Sequence, residues 1–133
     1  MLPYEKMKLY HGSPKKVKAL IPRQAKGLNK FENQIAIYLC KTFNQAALYA
    51  IGKTLKGKTG FAPLPNKLII IGNLTPKAGY VYEVNVDAKK GSREQFMYNK
   101  SIRKYKVKKV YPKDYENKII RVKSKKELFN LAK

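Results

Sequence analysis

The sequence predicts an α+β domain built on a mainly antiparallel β-sheet with a few short helices. Three observations carry that expectation. Six or seven short β-prone runs are concentrated in the C-terminal two thirds of the chain. They follow one another through turns instead of alternating with long helical stretches, which is the pattern of an antiparallel sheet and not of βαβ units. Two short segments, starting at Thr42 and Ser124, are read as helices from their capping-box spacing. With 133 residues, 44% of them hydrophobic, the chain is read as one domain over residues 1–133, large enough for a real core.

Residues 7–11 read as a first strand, and Pro14, Pro22 and Gly27 mark a long connection after it. Apolar, β-prone residues 35–40 predict a buried strand that contains the single cysteine, Cys40, as a small hydrophobe. Thr42 and Gln45 have capping-box spacing and start a helix that Gly52 ends. Ala46 and Ala50 give that helix a small-residue face, with Tyr49 beside it. The Gly- and Pro-containing segment 53–67 reads as a mobile loop. Residues 68–71 are a continuous apolar run, expected as a central strand. Residues 80–86 read as a strand packed on both faces, and residues 94–98, 105–111 and 118–122 as further strands. Ser124 and Glu127 form a second capping box, which predicts a closing helix through Leu131.

Charge bounds the partners. Thirty Lys and Arg against eight Asp and Glu give a net charge of +22, so the surface is expected to attract polyanions, nucleic acid or an anionic membrane. From residue 100 to 133 there are thirteen Lys and Arg and three acids, interleaved with Tyr105, Tyr111 and Tyr115. Lysines neutralise phosphates and tyrosines stack on unpaired bases, so RNA or DNA is the expected partner. The plainer reading is that Lys106 and Lys108 are the solvated face of a strand. One histidine and one cysteine exclude an intramolecular disulfide and the usual structural zinc site, so no metal is expected. No stretch approaches the roughly 20 apolar residues of a membrane span, and no signal-peptide run opens the chain. The expected compartment is the cytoplasm, with delivery as a secreted or injected effector left open.

The most informative feature is a pair of motifs. The only histidine lies in Leu9-Tyr10-His11-Gly12-Ser13-Pro14, and a second motif, Ile37-Tyr38-Leu39-Cys40 running into Thr42-Phe43-Asn44-Gln45-Ala46-Ala47-Leu48-Tyr49-Ala50, follows about 25 residues later. A strand ending in His-Gly-Ser, then a strand Tyr leading into an Ala/Tyr helix, resembles the ADP-ribosyltransferase fold. The likeness is to its poly-ADP-ribose polymerase and diphtheria-toxin-like branch, and covers residues 7–98 in order of elements. It implies a split antiparallel sheet core and NAD+ as co-substrate. By the resemblance, His11 hydrogen-bonds an adenosine-ribose hydroxyl, Gly12 grips the nicotinamide carboxamide through its backbone, and Ser13 touches the same carboxamide. Tyr38 and Tyr49 match the motif tyrosines around the nicotinamide. The catalytic carboxylate, expected at the start of a late strand, is Glu94, with Glu83 as the competitor.

The resemblance has departures that narrow it. The chain has no room for a helical regulatory domain, which points to mono-ADP-ribosyl transfer in place of polymer synthesis. Ser92 is neither Glu nor Gln, so the paired motif of arginine-directed transferases is absent. The placement of Arg23, Arg93, Arg103 and Arg121 assigns no RNA 2′-phosphotransferase activity. Two other classes stay open: a small basic ribonuclease toxin using His11 or Tyr49 in acid/base roles, and a nucleic-acid-binding protein without catalysis.

Overall fold

The structure, a computed structural model, describes residues 6–24, 35–55, 61–64, 66–91 and 95–132. In chain order the elements are β1 (Met7–Ser13), β2 (Arg23–Gln24), β3 (Ile35–Cys40), α1 (Phe43–Lys53), β4 (Phe61–Leu64), β5 (Lys67–Ile71) and β6 (Gly79–Val86). Then come β7 (Lys89–Lys90), β8 (Gln95–Tyr98), β9 (Lys106–Val110), a 3-10 helix (Pro112–Lys118), β10 (Ile119–Val122) and α2 (Lys125–Ala132). The fold is mixed α+β, mostly antiparallel sheet with a few short helices, as the sequence predicts.

Two sheets form. The larger has the order β7-β8-β3-β1-β6-β9, with β2 attached to β3, and all its pairings are antiparallel. The smaller has the order β10-β5-β4, where β5 runs antiparallel to β4 and parallel to β10. Residues 68–71 are therefore central, but in the smaller sheet.

Three expectations need correction. Segment 53–67 contains strand β4, and the long connection after β1 contains the two-residue β2. Pro63 argues against a strand from sequence, yet β4 lies at a sheet edge, a position where proline is tolerated. The segment between β9 and β10 is a 3-10 helix, opened by Pro112 in its first turn, where a proline's missing donor is harmless.

Both helix starts behave as their spacing predicts. Thr42 Oγ1 accepts from the Gln45 amide at 3.2 Å, and Ser124 Oγ accepts from the Glu127 amide at 3.3 Å. Helix α1 is apolar almost all round because it is the middle layer of the molecule. Its Ala46, Ala47, Leu48, Ala50 and Ile51 join Cys40 and Val81 of the large sheet and Leu68 and Ile70 of the small one in a single core. Helix α2 covers the far side of the small sheet through Leu128, against Ile69 and Val122.

Glycines allow the close approach of α1 to the large sheet. A Cβ at Gly12 would lie inside the permitted contact distance of the Ala46 carbonyl oxygen and 2.8 Å from the Ala50 nitrogen. One at Gly79 would meet the Ala50 Cβ at 2.8 Å. The small face of Ala46 and Ala50 thus rests on bare backbone of β1 and β6. The opposite face of the large sheet carries a second core of Leu9, Ile37, Leu39, Tyr82, Val84 and Phe96. The connection after β1 closes over it, held by the Leu20–Ile102 bridge and by two tyrosines. Val17 N–H donates to Tyr82 Oη at 2.6 Å, and Tyr105 Oη donates to the Val17 carbonyl at 2.9 Å.

Candidate active site

The large sheet opens at its middle. β1 pairs with β6 at seven positions and β3 with β8 at four, but β1 and β3 share the single pair Tyr10 with Cys40. Beyond it the two strands part, and the histidine side chain spans the opening. His11 Nδ1 lies 2.8 Å from the Tyr38 carbonyl oxygen. A carbonyl only accepts, so Nδ1 carries the proton and donates, and in the neutral ring Nε2 is left as an acceptor.

The surroundings keep that ring neutral. Burial of the imidazole, then the Lys53 ammonium, lower its pKa from 6.5 to about 3; the Tyr38 bond works in the other direction and Arg23 adds a smaller lowering. Of the two cations, Lys53 is fixed beside the seam by its bond to the Gly12 carbonyl. Burial likewise pushes the Cys40 thiol up to about 12, so this cysteine is an inert apolar residue, in line with its 3% exposure.

Side-chain alternation sorts the remaining candidates. Tyr38 shares a sheet face with Cys40, and Cys40 belongs to the core beneath α1, against which Tyr49 also packs. Phe43 lies beneath Lys108 of β9 at 5.7 Å. Tyr49 is about 120° around the helix from Phe43, at roughly 100° per residue, which turns it toward the β3 side. Tyr38 and Tyr49 are therefore brought to one side of the sheet, next to the opening. His11 projects to the other face, where it is paired in register with Tyr82.

Gly12 and Ser13 carry duties that their motif does not foretell. Gly12 is the floor on which α1 rests, and its carbonyl accepts the Lys53 ammonium at 2.8 Å. Ser13 is buried and its hydroxyl closes a local turn, donating to the Lys15 carbonyl at 2.7 Å and accepting the Lys15 amide at 3.2 Å. Glu94 lies outside the described residues, as do Ser92 and Arg93. The next residue in the chain, Gln95, pairs with Cys40, so the ladder Tyr10, Cys40, Gln95 crosses three adjacent strands level with the start of the opening. Glu83 sits on β6 opposite Tyr10 and Lys106, on the far side of β1 from β3.

Known proteins add nothing to this geometry. No family model matches the chain, and no curated protein or solved structure matches it.

Two further residues of α1, Gln45 and Lys53, stand out in the structure and were not singled out in the sequence. Gln45 is 2% exposed and its Nε2 has no hydrogen-bond partner among the described residues. A buried amide left so is costly and calls for an explanation. Gln45, Tyr49 and Lys53 recur every four residues, so they form one stripe along α1. Its last member touches Gly12 beside the seam. The four-residue spacing is visible in the sequence, but Gln45 there reads as a capping residue and Lys53 as a loop lysine. Among the described residues no group of three His, Cys, Asp or Glu is placed to hold a metal. No helix there is long and apolar enough to cross a membrane.

Proposed function

We propose that the chain transfers a single ADP-ribose from NAD+ to an acceptor at the opening between β1 and β3. The carrying observation is the neutral His11, bonded through Nδ1 to the Tyr38 carbonyl with Nε2 as its remaining acceptor, a state suited to accepting a hydrogen bond from a ribose hydroxyl. The same state argues against His11 as the general base of a ribonuclease. A general base works best with a pKa near the operating pH, whereas burial and the Lys53 ammonium hold that of His11 down at about 3.

In this reading the nicotinamide lies between Tyr38 and Tyr49, with aromatic stacking worth about 0.5–1.5 kcal/mol beyond area burial. Its carboxamide N–H takes the place of the Lys53 ammonium at the Gly12 carbonyl, and the released ammonium meets the diphosphate. Gln45 supplies its unpartnered amide to the ligand. The glycosidic C–N bond breaks with its electron pair leaving on nicotinamide. Positive charge grows on the ribose, where the Glu94 carboxylate stabilises it. The acceptor nucleophile then bonds to the anomeric carbon as its proton passes to the Glu94 carboxylate. The +22 charge supports a nucleic-acid acceptor.

The test uses NAD+ labelled on the adenine side, offered with RNA, single-stranded DNA, duplex DNA or protein. Nicotinamide release with label on one acceptor is expected, and its loss in Glu94→Ala. Absence of nicotinamide release with every acceptor sinks the transferase.

A further inference from the structure

A cavity opens away from the seam, lined by none of the residues around His11. It is a half-open cleft of about 490 Å3, inside the range of about 300–1,000 Å3 usual for small-ligand pockets. Buried Leu48 is apolar lining, and the 3-10 helix contributes the Tyr115 ring. Three amides, Asn44, Asn66 and Asn117, surround it together with Asp114 and Lys118, whose charges cancel. Tyr115 Oη donates to Asn44 Oδ1 at 3.1 Å, tying the two walls together. An apolar and aromatic surface ringed by neutral donors and acceptors suits a flat heterocycle with a polar edge, the chemistry of a nucleobase.

A line of lysines leads to that cavity. Edge strand β9 runs through Tyr111 directly into the 3-10 helix. Lys106, Val107, Lys108 and Lys109 are all exposed, so lysines stand on both of its faces. Tyr111 is 41% exposed, with the Lys109 and Lys113 ammoniums 5.4 and 5.6 Å from its ring centre. The Lys108 ammonium is over Phe43, the residue before cavity-lining Asn44. Lysines on an edge strand serve to block sheet-to-sheet pairing. That role explains neither the exposed tyrosine between two ammoniums nor a polar cavity at the end of the line.

The geometry points to a single-stranded RNA site, in which β9 and the 3-10 helix follow the phosphates, Tyr111 stacks on one base, and the cavity receives another. RNA is the fitting occupant because the unpaired bases of its loops and ends are what proteins read. The inference deepens the acceptor half of the transferase reading and rests on it for its purpose. Binding is measured without NAD+, so failure of transfer and failure of this site are told apart.

Fluorescence anisotropy with labelled 12-nucleotide A, C, G and U homopolymers, matching DNA strands and a duplex tests it at several salt concentrations. Wild type is expected to prefer one RNA homopolymer by about tenfold and to bind the duplex more weakly. The triple variant Lys108→Ala/Lys109→Ala/Lys113→Ala should bind at least tenfold more weakly, with a salt slope reduced by about two to three. Asn117→Ala and Asn66→Ala, both at exposed positions that leave the core intact, should erase the base preference while changing overall affinity less than about threefold. Equal binding of all homopolymers, duplex or DNA bound as tightly as RNA, or a triple variant that binds like wild type overturns the site.

Discussion

His11 has one chemical duty in the fold, and its titration reports whether that duty is real. Its folded pKa of about 3 lies below the unfolded 6.5, so between those values the unfolded chain binds the extra proton. Stability from this group is therefore complete above pH 6.5 and falls as pH drops toward 3, by at most about 1.4 kcal/mol per unit. Imidazole NMR should show a neutral ring down to pH 4, and His11→Gln should lose this share of the acid sensitivity. A midpoint near 6.5 rejects the buried, bonded ring. Gln45 gives an opposite signature for fold and function. An unsatisfied buried donor costs about 1–3 kcal/mol, so Gln45→Leu should raise the urea midpoint while weakening NAD+ binding about tenfold. Greater stability with unchanged NAD+ binding would assign Gln45 no ligand. At this scale the sequence singled out His11, Tyr38 and Tyr49, and the contact it could foreshadow is between neighbouring strands, His11 with the Tyr38 carbonyl. It could not reveal that Gly12 is held beneath a helix or that Ser13 is spent on a turn, because both depend on partners brought in by the tertiary fold.

Among the elements, α1 has the strictest fit. Gly12→Ala drives a methyl into the Ala46 carbonyl and the Ala50 backbone, which are rigid atoms of the helix. The expected loss is about 1–3 kcal/mol or more, read as a lowered denaturation midpoint, and it should lift α1 together with Tyr49 and Lys53 away from the seam. Unchanged stability in the Gly12→Ala variant would mean that the helix sits farther from β1. Helix starts were legible because capping is local: Thr42 and Ser124 bond within three residues of themselves. Short edge strands were not. β2 has two residues, β4 contains a proline, and neither has a pattern apart from the strand that it joins. The 3-10 helix was hidden for the same reason, since its tie to α1 runs from Tyr115 to a residue far away in sequence.

For the whole molecule, an α+β class and an antiparallel main sheet could be read from the order of strands and turns. The division into two sheets around a buried helix could not, because it depends on β5 taking β10 as a parallel neighbour from the far end of the chain. Charge, in contrast, acts without regard to fold, and the +22 balance remains as outward-facing lysines on β9 and the 3-10 helix. The longest-reaching pairing has a consequence in time. β1 is the first strand among the described residues, yet its seven-position partner is β6, and Met7 meets Val86. At roughly 5–20 residues per second of synthesis, β1 waits several seconds before that partner exists. Contacts so distant in sequence also make the search slow once the chain is complete. Until Val86 emerges, the nascent chain displays a β-prone edge beside a cationic connection, and chains halted before it should be cut by protease where finished ones are not.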